Sequence, residues 1–181
     1  MLDQMVDILK KILAAVLIAI LMEEFVFGFT VVQGESMAPT VKNHDKLFVN
    51  KISYLFHKPQ IGDIVIFHPP IEERKKEFFI KRVIAVENDE FLIQNGKVYI
   101  NGKAIDEPYV KAEKYEEKDY DICQGRVPKG MVFVMGDNRN DSNDSRSFGF
   151  VPIKDIEGKA DFRIWPFDTA KAFTVNDAHK D

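Results

Sequence analysis

The stretch "FLIQNGKVYINGKAI" (91–105) contains two Asn-Gly pairs, one on each side of the four residues "KVYI". Asn and Gly tolerate the positive φ angles of a type I′ turn, which connects neighbouring antiparallel strands. Both pairs are flanked by apolar residues that alternate with polar ones, as in a half-buried strand. We therefore predict that this stretch folds back on itself twice, as a meander.

Similar short runs recur along the chain beyond residue 30. They are rich in Val, Ile and Phe and are bounded by Gly, Pro and Asn, which is typical of strands and turns. No internal repeat of fixed period occurs. The sequence predicts a mainly β chain behind an N-terminal helix, with strands in "KLFVNKI", "DIVIFH", "FFIKRVIAV", "EFLIQ", "KVYI", "MVFVMG" and "FRIWPF".

The N-terminal segment contains eleven consecutive apolar residues (12–22), preceded by two lysines and followed by two glutamates. As a helix this run is about 16 Å long, roughly half of a bilayer core, so a full span also needs the flanks. We predict a single transmembrane anchor over residues 1–30, with a cytoplasmic N-terminus and the rest of the chain outside. A removable signal peptide and a buried core helix are the alternatives.

Composition and charge exclude several classes of protein. A net charge of −4 and a pI near 5.6 argue against a nucleic-acid partner, which favours a basic surface. The single cysteine, Cys123, cannot form an intrachain disulfide. The four histidines lack metal-ligand spacing, and the acidic loop "DNRNDSNDS" departs from a calcium-binding loop. We therefore expect neither a metal nor a cofactor.

Adjacent cations interrupt the apolar run "FFIKRVIAV" (78–86). Side chains alternate across a strand, so Lys81 and Arg82 point to opposite faces and one of them must lie among apolar neighbours. If that residue is Lys81, burial lowers its pKa, and a neutral amine can act as general base toward a serine such as Ser36. The alternative is a solvated lysine at a strand edge, with Ser36 in a simple turn before Pro39.

Three stretches occur in a fixed order behind the N-terminal segment: "GESMAPT" (34–40), "FFIKRVIAV" (78–86) and "GDNRNDSNDSRSFG" (136–149). Together they resemble the type I signal peptidases of bacteria, and the resemblance extends to about Pro152. It implies a membrane-anchored serine endopeptidase that removes signal peptides from exported preproteins. It also implies an antiparallel β catalytic domain, residues 31–181, with a smaller β subdomain inserted at about residues 88–130. The implied partners are membrane lipid and preproteins with small residues before the cleavage site.

The same resemblance implies roles for single residues. Ser36 corresponds to the nucleophile and Lys81 to the general base of a Ser-Lys dyad. Ser142 matches a serine that orients the lysine amine. The remaining positions are a bracing ion pair (Asp144 and Arg146), the start of the supporting loop (Gly136 and Asp137) and the lining of shallow substrate pockets (Met37, Val32, Phe79 and Ile80).

Two positions depart from the family pattern. Gly34 stands where some relatives have a serine that donates to the oxyanion, so backbone N–H groups, chiefly that of Ser36, or water must serve instead. His44 replaces a glycine, which predicts a different local turn. Two other functions stay open at this point: another Ser-Lys peptidase, such as a self-cleaving repressor or a pilin-processing enzyme, and a catalytically silent module that binds extended peptides.

Overall fold

The computed structural model describes residues 1–110 and 120–173. The chain begins with helix α1 (Leu2–Phe25), and strands follow from Phe27 onward. In chain order the α-helices and strands that follow are β1 (Phe27–Val31), β2 (Lys46–Asn50), α2 (Ser53–Phe56), β3 (Ile64–Phe67), β4 (Phe79–Ala85), β5 (Glu90–Gln94), β6 (Lys97–Ile100), β7 (Lys103–Ala104), β8 (Gln124–Arg126), β9 (Met131–Met135), α3 (Ser145–Phe148), β10 (Val151–Pro152), β11 (Ile156–Trp165) and β12 (Lys171–Ala172).

The described strands form two antiparallel sheets. One sheet has eight strands in the order β1-β2-β11-β3-β4-β9-β10, with β12 paired to β11. The other has four strands in the order β7-β6-β5-β8. The mainly β, antiparallel class predicted from the sequence is confirmed. The four-stranded sheet lies within the range of the predicted insertion, whose limits stay a prediction.

The meander predicted from the two Asn-Gly pairs is confirmed. Strand β5 pairs with β6 and β6 with β7, both antiparallel. Both residues of each turn have positive φ, at 51° and 72° for Asn95 and Gly96 and at 52° and 80° for Asn101 and Gly102. This is the geometry of a type I′ turn, which accounts for the choice of residues.

Helix α1 forms as predicted, but none of its residues is buried. Within the described residues, no helix combines the length and the apolar content that crossing a membrane requires. The helix is therefore confirmed, whereas its predicted transmembrane span is not. Charged side chains at six of its 24 positions explain the difference: Asp3, Asp7, Lys10, Lys11, Glu23 and Glu24.

The core lies on both faces of the central strands. On one face Phe67, Val83 and Val134 share a cluster. On the other face the ring of Phe133 stacks on that of Phe91 at 4.2 Å between centroids, in a cluster that joins the two sheets. Burial of these apolar side chains drives the packing.

Strand pairing also fixes where the chemistry-bearing segments meet. In the β3–β4 ladder Val65 faces Lys81, and in the β4–β9 ladder Met135 faces Arg82. Strand β9 ends at Met135, so the loop that follows, residues 136–144, begins beside Lys81. The loop after β1, which carries Ser36, contacts both Lys81 and the loop after β9.

Candidate active site

Ser36 and Lys81 meet although 45 residues separate them in sequence. The Lys81 Nζ donates a hydrogen bond to the Ser36 Oγ at 2.8 Å and another to the Ile80 carbonyl at 2.9 Å. Strand β4 supplies the lysine and the loop after β1 supplies the serine. The distance is that of a nucleophile and its general base.

The surroundings of Lys81 favour the neutral amine. The residue is only 4% exposed, and burial without bulk water disfavours the ammonium. Burial lowers the pKa of Lys81 to about 8, while the nearby carboxylates of Asp144 and Asp137 oppose this decrease. An appreciable fraction of the amine is therefore unprotonated near neutral pH.

Arg82 points to the opposite face of β4 and is also only 4% exposed. Its guanidinium donates to both carboxylate oxygens of Asp137, at 2.8 and 2.7 Å, and to the Gly62 carbonyl at 2.9 Å. Because guanidinium stays charged when buried, it needs this counterion. The sequence predicted that one of the two adjacent cations lies among apolar neighbours, whereas the structure buries both. The partner of Arg82 was not predicted.

Gly136, the first residue of the loop after β9, packs directly against the backbone of Ser36. A Cβ at this position would lie 2.3 Å from the Ser142 Oγ and 2.4 Å from the Ser36 carbonyl oxygen. Two residues on, Asn138 donates its backbone N–H to the same carbonyl at 3.0 Å and its side chain to the Glu35 carbonyl at 3.1 Å. Only glycine allows this close approach.

Asp144 and Arg146 form a fully buried ion pair in which the guanidinium donates to both carboxylate oxygens at 2.8 Å. Asp144 also accepts the backbone N–H of Gly136 at 3.0 Å and forms the N-cap of α3. Burial alone would raise the pKa of Asp144, but hydrogen bonds and charge from Arg146 hold it below its ordinary value. This ion pair holds in place the loop after β9 (residues 136–144), which contacts the backbone of Ser36.

Ser142 does not form the hydrogen bond to Lys81 that the resemblance implies. Its Oγ is buried and has no hydrogen-bond partner in the described part of the chain. The hydroxyl packs beside Gly136. The Lys81 Nζ donates instead to the Ser36 hydroxyl and to the Ile80 carbonyl. The orienting role of Ser142 therefore stays a prediction.

A cleft of about 630 Å³ opens beside Ser36 and Lys81. Of the four predicted pocket residues, Val32, Phe79 and Ile80 line it. Met37 does not, because it is 1% exposed and packs in the core with Val41 and Leu47. The cleft walls also include residues that sequence reasoning missed, among them Ile66, Arg74, Glu77 and Phe78. The charged run "EERKKEF" directly before β4 was the available signal for the last three.

The backbone donors of the turn around Ser36 are only partly used. The Ser36 N–H donates to no residue in the described ranges, whereas the Gly34 N–H donates to the Asn43 side chain at 3.1 Å. Gly34 has a φ of +92°, which disfavours any side chain there, although the space around it is open. His44, at φ 66°, adopts the left-handed conformation that a glycine would take. The Ser36 N–H is thus available to an oxyanion.

Comparisons with a family model, with curated proteins and with solved structures all find signal peptidases. The family model "Signal peptidase, peptidase S26" matches residues 5–165. A probable signal peptidase I-1 of Synechocystis is 42% identical over 86% of this chain and 80% of its own length. Signal peptidase I of Bacillus caldolyticus is 42% identical over 84% of this chain and 87% of its own. A crystal structure of a signal peptidase I from Enterococcus faecalis is 34% identical, with a TM-score of 0.49, and covers 57% of this chain and 97% of that chain. The family match includes Ser36, Lys81 and the loop after β9.

Proposed function

This chain belongs to the signal peptidase family, peptidase S26, and is a serine endopeptidase that removes signal peptides; from that premise we propose that Ser36 and Lys81 are its catalytic dyad. The observation that carries the proposal is the 2.8 Å contact between the Lys81 Nζ and the Ser36 Oγ. The pKa of Lys81, lowered to about 8 by burial, supports it, because only an unprotonated amine can accept a proton.

In the proposed reaction the neutral Lys81 amine takes the Ser36 proton while the Oγ attacks the scissile carbonyl carbon. The carbonyl oxygen becomes an oxyanion that accepts a hydrogen bond from the Ser36 N–H. The tetrahedral adduct then collapses, the peptide C–N bond breaks, and the lysine ammonium gives its proton to the departing amine. The same amine next removes a proton from water, which attacks the acyl ester. The ester C–O bond then breaks, and the lysine ammonium returns a proton to the Ser36 oxygen. No step requires a metal or a cofactor.

Two free strand edges support binding of an extended preprotein segment. Among the described strands, β1 pairs only with β2. The pairing of β4 with β9 begins at Arg82, so Phe79 and Ile80 lie outside that ladder. A substrate strand between these edges would gain main-chain hydrogen bonds. The apolar walls formed by Val32 and Ile80 suit small side chains before the cleavage site.

The dependence of the rate on pH tests the role of Lys81. At pH values below about 8 the folded protein holds the ammonium, which has no lone pair for the Ser36 proton. We expect kcat/KM for a preprotein to rise about tenfold per pH unit below that value and to level off above it, since this parameter reports the free enzyme. Steady-state kinetics from pH 5 to 10 measure it. A midpoint near the ordinary lysine pKa of 10.5 would contradict a buried general base.

The apolar side chains of α1 support the proposal that this helix holds the enzyme at a membrane, beside its substrates. Ile12, Leu13 and Leu17 are all exposed in the described chain. We expect the protein to sediment with membranes after carbonate washing, and the double variant Leu13→Glu/Leu17→Glu to move to the supernatant. The variant Lys129→Glu, on the β domain, is the matched control and should stay with the membrane.

The orientation predicted from the sequence, with a cytoplasmic N-terminus and the β domain outside, has its own test. Protease added to intact spheroplasts should degrade the β domain, and protease added to inside-out vesicles should leave it intact. The reverse pattern, or release of the wild-type chain by carbonate, would contradict this location.

A further inference from the structure

Three buried arginines surround the loop that presses on Ser36, and we refer to them as the arginine cluster. None is more than 4% exposed. Two of them are neutralised by acids of the site itself, as described above. The third depends on a carboxylate outside the site. The members of the cluster are Arg82, Arg139 and Arg146.

Arg139 obtains its counterion from Glu107, which lies on the connection between β7 and β8. The guanidinium Nη1 donates to the Glu107 Oε2 at 3.1 Å, and the two side chains are 3% and 10% exposed. The hydroxyl of Tyr109 also donates to Glu107, at 3.1 Å. The pKa of Arg139 is held above its ordinary value by Glu107 against the effect of burial. The Glu107 carboxylate therefore accepts hydrogen bonds from both Arg139 and Tyr109 in a largely buried network.

The aromatic residues of the same connection cover the other two arginines. The ring centroid of Tyr109 lies 3.9 Å from the guanidinium carbon of Arg82, and that of Tyr120 lies 4.2 Å from that of Arg146. Such stacking is favourable for a desolvated cation. The described residues between β7 and β8 thus contact every member of the arginine cluster.

A short chain of contacts leads from Glu107 to the nucleophile. The Arg139 Nε donates to the Gly136 carbonyl at 3.1 Å. Gly136 packs against the Ser36 carbonyl oxygen, which also accepts the Asn138 N–H at 3.0 Å. Removal of the Glu107 charge would leave a buried guanidinium without its counterion, a costly state that is relieved by moving the side chain toward solvent. That movement would withdraw the donor from Gly136 and loosen the support of Ser36.

We propose that Glu107 is a positioning residue for the reaction: it holds Arg139 in place, and Arg139 holds the Gly136–Asn138 turn against the backbone of Ser36. This inference rests on the proposed function. Glu107 contacts neither Ser36 nor Lys81 and does not line the cleft. Its effect is therefore on the rate of the chemical step and not on substrate binding, because misplacement of a nucleophile by about 1 Å costs on the order of 100-fold.

The first test is steady-state cleavage of a preprotein by the full-length Glu107→Gln variant in detergent. We expect kcat to fall about 10- to 100-fold while KM changes less than twofold. The milder Tyr109→Phe variant removes only the hydroxyl that donates to Glu107 and should lower kcat severalfold with an unchanged KM. Glu90→Gln is the matched control, since it breaks an exposed ion pair with Arg126 in the smaller sheet and should leave kcat unchanged.

A double-mutant cycle separates positioning from general loss of structure. If Glu107 acts through Arg139, then Glu107→Gln should cost little further activity in an Arg139→Met background. Thermal midpoints and near-ultraviolet circular dichroism identify any variant that is unfolded at the assay temperature. For an unfolded Glu107→Gln, the cycle is run with Tyr109→Phe in its place.

The outcomes distinguish this inference from the proposed function. An unchanged kcat in the variants, or losses that multiply in the double variant, would overturn the role of Glu107 while the wild-type enzyme remains active. A wild-type chain that does not cleave the preprotein at all would instead overturn the assignment of the dyad.

Discussion

Replacement of Ser36 by alanine, or of Lys81 by methionine, is expected to lower kcat for preprotein cleavage by about 10⁴-fold or more, with the fold unchanged. The serine variant has no atom that can form the acyl ester. The lysine variant has no group within 2.8 Å of the Ser36 Oγ that can accept its proton. Losses of this size are typical when one member of a catalytic unit is removed, and the double variant should be no worse than either single one.

The lysine variant also provides a check that does not depend on activity. Burial lowers the pKa of Lys81 from its ordinary 10.5 to about 8, so the unfolded chain binds the proton more tightly. The wild-type protein therefore carries a cost of about 3 kcal/mol below pH 8 that disappears as the pH rises to about 10.5. Urea unfolding should show Lys81→Met gaining stability relative to wild type by this amount at pH 7 compared with pH 10.5. A pH-independent difference would indicate a solvated lysine, and full activity in either variant would refute the dyad.

Replacement of Gly136 by alanine should have the second largest effect. The added methyl would lie 2.4 Å from the Ser36 carbonyl oxygen and 2.3 Å from the Ser142 Oγ. The serine side chain can rotate, but the Ser36 carbonyl belongs to the backbone of the nucleophile and can move only together with it. We expect cleavage to fall at least about 100-fold and the free energy of unfolding to fall by about 1–3 kcal/mol.

The matched control for Gly136→Ala is Gly102→Ala, in the second turn of the meander. No atom lies within 4 Å of a Cβ at that glycine, whose φ is +80°. Alanine there should cost about 1 kcal/mol of backbone strain and leave kcat and KM unchanged. Wild-type activity in Gly136→Ala would show that the turn yields without moving Ser36, and would also weaken the case for Glu107.

The parts of the fold that local sequence determines were predictable. An Asn-Gly pair specifies its turn within four residues, and short Val- and Ile-rich runs specify strands, so the meander and the antiparallel class followed from the sequence. Whether a helix spans a membrane is harder to predict from a short apolar run. The charged residues at both ends of α1 lower its overall apolar content. The sequence therefore predicted the helix correctly, whereas its transmembrane span stays a prediction.

The site was only partly accessible from the sequence. Alternation along β4 indicated that Lys81 or Arg82 must be buried, but which side chains they meet depends on loops far away in the chain. The local pattern offered Lys81 as a base for a serine such as Ser36 but left a solvated lysine open, and the family resemblance assigned the pair. Met37 was assigned to a pocket from the family resemblance, whereas the turn after Ser36 directs it into the core. The contact between Glu107 and Arg139 spans 32 residues and has no local signature.

The ion pairs that support Ser36 are enclosed by protein, and this has a consequence for the medium in which the enzyme can work. Dissolved ions weaken attraction between charges that face water, such as Arg74 and Glu77 on the cleft wall. They have little access to Asp137 with Arg82, or to Asp144 with Arg146, which are at most 5% exposed. The shape of the catalytic centre should therefore persist from dilute to strongly saline surroundings, while charge-dependent preferences at the rim of the cleft fade as salt increases.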